Sequence, residues 1–208
     1  MDFIADDNKE VTDQLSLSIW LTRSTRATRE KQFEKLLRVF PFSQREQPQS
    51  IVSIHAIGLT EPPLLEQPLN GPLDVNQVIP VLGEYSGEDL AYRVESWWDL
   101  WQYDSDWRLR PARVALYCFG PEFDNGTEHQ SGEQQDLLID FGVDSNYLPR
   151  PEVPGSARLI ESNVKSLLRF VHELDHALPV ERRRLETESG ENFADRLQQV
   201  LTASGRIQ

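Results

Sequence analysis

His172, Glu173 and His176 have the residue types and spacing to do chemistry. The stretch His172-Glu173-Leu174-Asp175-His176 is an HExxH pentapeptide. On a helix, histidines four residues apart share one side and can grip one zinc ion. The glutamate between them can then act as general base toward a metal-bound water. That reading implies a metal-dependent hydrolase, with His172 and His176 as ligands, zinc as cofactor and Glu173 as the catalytic base. It also needs a third ligand. Glu186, Glu188 and Glu191 lie downstream as candidates, but no NExxSD-like pattern surrounds them.

With Leu174 and Asp175 inside it, the pentapeptide resembles the HExDH signature of the peptide deformylases, over five residues of 208. The resemblance implies a cysteine third ligand in an EGCLS segment, after an early GxGxAAxQ segment. The chain has neither: its one cysteine, Cys118, stands in Leu116-Tyr117-Cys118-Phe119-Gly120. A metzincin-like extension is also missing, because Pro179 and Arg182 occupy the positions for its glycine and histidine. On the helical wheel Val164, Leu167, Leu168, Val171, Leu174 and Leu178 form one apolar face. The two histidines fall beside Lys165 and Arg169, whose fixed charges oppose a divalent ion. The expected role of the stretch is therefore a polar helix flank, with a zinc hydrolase as the alternative.

Trp97, Trp98 and Trp101, with Trp107 nearby, form the second constellation. A helical pattern begins at Ser86, with Asp89 completing an approximate capping box, and runs to about Tyr103. On it Leu90, Val94 and the three tryptophans share one arc, opposite Glu88, Glu95 and Asp99. The tryptophans are then expected to pack onto a sheet. Tyr103 and Trp107 fall outside the arc and are the candidate binding residues. The loop Gly120 to Asp136 holds Glu122, Asp124, Glu128, Glu133 and Asp136, without the DxDxDG spacing of a calcium loop. Glu181-Arg182-Arg183-Arg184 is the one dense basic run and reads as a linker surface. With His55 and His129 the remaining histidines, no Ser/His/Asp set, phosphate loop or dinucleotide fingerprint is visible.

The elements that must position these residues follow from periodicity. Gln14 to Thr22 alternates Leu15, Leu17, Ile19 and Leu21 against Ser16, Ser18 and Trp20, which predicts a half-buried strand. Thr28 is expected to cap a helix carrying Phe33, Leu36, Leu37 and Phe40, which Pro41 stops. Ile51 to Leu59 reads as a strand. The connection through Pro62, Pro63, Pro68 and Pro72 is compatible with regular structure only at a sheet edge. Val78 to Leu82 reads as a short strand, and Arg113 to Phe119 and Leu137 to Val143 as a hairpin. Ser156 to Leu178 is the longest helix, and Gly190 to Ala203 a last one with Phe193, Leu197, Val200 and Leu201 on one face.

This β-α-β-(β)-α-β-β-α-α order predicts an α+β fold: an antiparallel or mixed sheet with helices on one face, a two-layer sandwich, or tandem ferredoxin-like units. Residues 1–12 are polar and acidic and expected to be flexible. Residues 13–208 form one domain or two halves, 13–83 and 84–208.

Composition bounds the rest. With 38% hydrophobic residues the chain can build a core. Its apolar runs are too short to span a bilayer, and Met1 leads directly into acidic residues, so no secretory signal is expected. One cysteine agrees with a reducing, cytoplasmic setting. A formal net charge of −13 repels phosphate backbones and disfavours nucleic acid, while it attracts a basic protein partner. The reading that follows is a non-catalytic binding or regulatory protein with an acidic surface.

Overall fold

The computed structural model describes residues 13–22, 25–45, 48–124, 134–150, 152–190 and 192–204, the side chains of 26–27 and 199–204 excepted. Among the described residues seven strands form one sheet and four α-helices join them, in a mixed α+β chain. In chain order these are β1 (Gln14–Leu21), α1 (Arg26–Val39), β2 (Ser50–His55), β3 (Leu65–Leu69), α2 (Val75–Gly83) and β4 (Ala91–Tyr103). Then follow β5 (Trp107–Phe119), β6 (Leu137–Val143), α3 (Ser156–Ala177), β7 (Val180–Thr187) and α4 (Phe193–Ser204). The sheet order is β3-β2-β4-β5-β6-β1-β7 and every pairing is antiparallel. With β1 set between β6 and β7, this order does not display a tandem pair of ferredoxin-like units.

Three expectations need correction. The segment expected to be helical from Ser86 to Tyr103 is instead the long strand β4. The apparent wheel arose because adjacent Trp97 and Trp98 satisfy a helical arc, while the true period is two. Tyr92, Val94, Ser96, Trp98 and Leu100 are buried, and Arg93, Glu95, Trp97, Asp99 and Trp101 alternate with them, half-exposed. Val78 to Leu82, expected as a strand, lies in helix α2, where the Asp74 side chain accepts from the Asn76 N–H at 2.9 Å. Val78 and Leu82, one turn apart, are its buried residues. Glu181–Arg184, expected as a linker, belongs to strand β7, which pairs with β1 from Leu15 opposite Thr187 to Leu21 opposite Val180.

Smaller differences have equally local causes. Thr28 serves the start of α1 from inside the helix, accepting the Thr25 N–H on its hydroxyl at 3.0 Å. The proline-interrupted stretch does make a strand, β3, at the sheet edge where Pro68 needs no ladder hydrogen bond. On α3 the buried positions include Ile160, Asn163, Leu167, Phe170 and Leu174, whereas Leu168 is 59% exposed.

One apolar cluster joins Leu15, Leu17 and Ile19 of β1 to Phe33, Leu36 and Leu37 of α1, Val52 and Ile54 of β2, and Leu167, Phe170 and Leu174 of α3. At its centre Trp98 packs against Phe40, Phe141, Tyr147 and Phe170, with ring centroids 5.5 to 6.4 Å apart. Such edge-on and tilted aromatic pairs add to area burial. No helix among the described residues is long and apolar enough to cross a membrane.

Candidate binding face

Register places the outward alternate residues of the sheet in rows, most of them half-exposed or exposed, with Ser53, Ala115 and Ser18 buried among them. One row crosses all seven strands: Glu66, Ser53, Arg93, Tyr117, Leu138, Ser18 and Arg184. The next holds Pro68, Ile51, Glu95, Ala115, Asp140, Ser16 and Glu186. Further along the β4–β5 hairpin the same face continues with Trp97 opposite Arg113, Asp99 opposite Pro111 and Trp101 opposite Leu109.

Ion pairs fix the polar residues of this face. Glu95 accepts from Arg93 Nη2 at 2.6 Å and from Arg113 Nη2 on the same oxygen. The Arg93 guanidinium lies over the Tyr117 ring, 5.7 Å from its centroid. Glu95 holds the Arg113 guanidinium above its usual range. Arg45, on the connection after α1, reaches the same strands: its Nε is 3.3 Å from Asp99 Oδ2 and its Nη1 donates to Leu109 O at 3.0 Å. Ser43 donates to the other Asp99 oxygen at 2.8 Å. The paired geometry holds these long side chains in place before anything binds.

The ladders are uneven. β4 and β5 pair along all thirteen residues of each strand, but β6 joins β5 only at Ala115–Cys118. The far half of the hairpin therefore projects beyond β6. Gly142, at φ +75°, turns β6 aside, and a Cβ there would stand 3.2 Å from Arg113 O. The split leaves a cleft of about 380 Å³ lined by Gln14, Gln102, Arg113, Asp140 and Asn146 among others. Burial pushes the Asp140 carboxyl up, opposed by the Gly142 N–H it accepts at 2.8 Å and by the charge of Arg113.

The expected site residues lie elsewhere. His172 and His176 share the exposed flank of α3 with rings 4.4 Å apart, and Glu173 is exposed beside them. Among the described residues no group of three His, Cys, Asp or Glu side chains converges, and Asp175 is paired with Arg183 at 2.7 Å. Glu191, a candidate third ligand, falls outside the described residues, as do Glu128, His129 and Glu133 of the loop after β5. Tyr103 and Trp107 do meet, 5.3 Å apart at the hairpin tip. Trp107 Nε1 donates to Pro154 O at 2.8 Å, so this pair ties the tip to the chain before α3.

Two groupings were not read from sequence. Trp97 and Trp101, expected on a helix's packing face, stand on the outward face of β4, and the Arg-Val-Glu-Ser-Trp alternation from Arg93 carries the signal for that strand. The structure also joins Ser53 Oγ to His55 Nε2 at 3.2 Å. Both side chains are buried, at 2% and 3% exposure, so this serine is closed to a substrate. The loop carrying Leu59 and the segment carrying Phe123 pack over that end of the face, against Ala91 and Phe119. No protein-family model matches the chain, and neither a curated protein nor a solved structure is similar to it.

Proposed function

We propose that the chain is a non-catalytic binding protein: a two-layer sandwich whose helices lie on one side of the sheet and whose other face takes a basic protein partner. The observation that carries this reading is the make-up of that face, with Trp97, Trp101, Tyr117, Arg93 and Arg113 half-exposed or exposed on one register-locked ladder. Tryptophan, tyrosine and arginine are enriched at the few positions that carry most of the binding energy of protein interfaces, because each buries a large surface and keeps a directed polar group. Side chains already held by ion pairs lose little further freedom on binding. The net charge of −13 adds attraction at long range, which raises the encounter rate with a basic partner and fades as salt screens it. A reducing, cytoplasmic setting accords with Cys118, whose burial pushes its thiol up to about 12.

Affinity capture with the wild-type chain and a Trp101→Ala/Arg113→Ala variant tests the reading. A basic protein retained by the wild type, released by salt and lost by the folded variant is the expected result. Equal retention by the two proteins, or turnover of a substrate with no retained partner, refutes it.

A further inference from the structure

Resting on the binding-face reading, we infer that the cleft between β5 and β6 is a guanidinium site, which takes an arginine side chain of the partner beside Asp140. The cleft is rich in acceptors. Asp140 is half-exposed, and one oxygen of its carboxylate accepts the Gly142 N–H at 2.8 Å. Among the described residues no cation stands within ion-pair distance of it. Arg113, the nearest candidate, is drawn onto Glu95 instead, which it shares with Arg93. Arg113 O lies at the same level, just past the last β5–β6 pair and beside Gly142, where a Cβ would stand 3.2 Å from it. Pro111, opposite Asp99 on the lining, carries no N–H, so the strand edge there can accept but not donate. Gln102 spends its amide N–H on Arg110 O at 3.3 Å, which leaves its side-chain oxygen as an acceptor. Gln14 and Asn146 complete the polar wall.

A carboxylate, a carbonyl and amide oxygens call for a ligand with several N–H donors and a positive charge. Guanidinium carries five donors in one plane and keeps its charge at any relevant pH, whereas a lysine ammonium offers three from a point. A neutral ligand would leave the half-buried Asp140 charge offset only by Arg113 and Arg93, which are paired with Glu95.

N-acetyl-arginine amide, N-acetyl-lysine amide and the neutral arginine isostere N-acetyl-citrulline amide are the probes, each titrated into the whole chain while amide shifts are followed by NMR. The Gly142 N–H is the reporter, since it bonds Asp140 directly. The arginine probe is expected to shift it saturably, more tightly than the lysine probe, with the citrulline probe inert. Asp140→Asn keeps an oxygen for the Gly142 N–H and so keeps the turn at Gly142, but should weaken the arginine probe by roughly tenfold or more. Gln14→Glu, which adds a carboxylate to the wall, should strengthen it. Equal shifts from arginine and citrulline, tighter binding of lysine, or an unchanged affinity in Asp140→Asn would overturn the site. If the probe fails while the partner is still captured through Trp101, only the cleft is lost. Capture lost with probe binding intact sinks the wider reading alone.

Discussion

His55 is the titrating residue whose burial has the clearest consequence. Desolvation under the loop that follows β2 holds its ring below the ordinary value of 6.5, with the Arg93 charge acting the same way. The folded chain therefore keeps the ring neutral where the unfolded chain binds a proton. The stability this contributes is complete above pH about 6.5 and is lost as pH falls through that value toward the lowered one. Urea midpoints at pH 7.5 and pH 5.5 should fall further for the wild type than for His55→Leu; equal falls would show that His55 is not the titrating group. The carboxyls raised by burial, Asp140 and Asp144, act in the opposite sense but are present in both proteins and cancel from the difference. The tryptophans of β4 separate by face. Trp98→Ala removes the centre of the aromatic cluster and should cost about 3–5 kcal/mol. Trp101→Ala, half-exposed on the other side, should cost roughly 1 kcal/mol or less. Denaturant unfolding of the two variants decides whether that division is right.

Among the elements, the edge strands have unpaired backbone and each is guarded differently. β3 carries Pro68 and is short; β7 carries three consecutive arginines. Arg182 lies over the Trp20 ring at 4.0 Å, Arg183 pairs with Asp175 and Arg184 with Glu186. Charge along an edge keeps a second sheet from adding to it. Arg182→Thr/Arg184→Thr should therefore raise self-association, visible as a concentration-dependent shift in sedimentation, and a monomeric variant would refute the guarding role. β4 has a different protection where it outruns β2: Asn163 of α3 bonds both the N–H and the C=O of Trp101, each at 2.9 Å. How far such elements could be read in advance depended on whether their evidence was local. β1, α1, α3 and the β5–β6 hairpin announce themselves through clean alternation, caps and bounding prolines. β4 reads as a helix in the sequence because its tandem tryptophans fit two periods. β7 is not legible locally, because its apolar residues are few and its strand character comes from pairing with β1, far from it in sequence. The rows that bring Arg93, Glu95, Arg113 and Asp140 together were hidden for the same reason, since only the register of four strands aligns them.

At the scale of the whole molecule, the sheet binds the first part of the chain to the last. β1 lies between β6 and β7, and β2 lies against β4. The main apolar cluster takes residues from β1 to β6 and from all four helices, and Val180 and Leu185 of β7 pack against it. Unfolding should accordingly be one cooperative event, with fluorescence and circular dichroism giving coincident transitions. Two resolved transitions would mean that residues 13–83 and 84–208 melt separately.

The place of β1 also bears on how the chain is made. It leaves the ribosome before the other described strands, yet its ladder partners are Leu137–Val143 and Val180–Thr187. Leu15, Leu17, Ile19 and Leu21 must wait, without a neighbouring strand, until β6 has been synthesised, and for their second neighbour until β7 follows. Sheets closed by such distant pairings assemble slowly and leave apolar strands open to capture in the meantime. A nascent chain stalled before β7 thus presents a hydrophobic strand with one neighbour missing, and this is the species that a chaperone would need to hold.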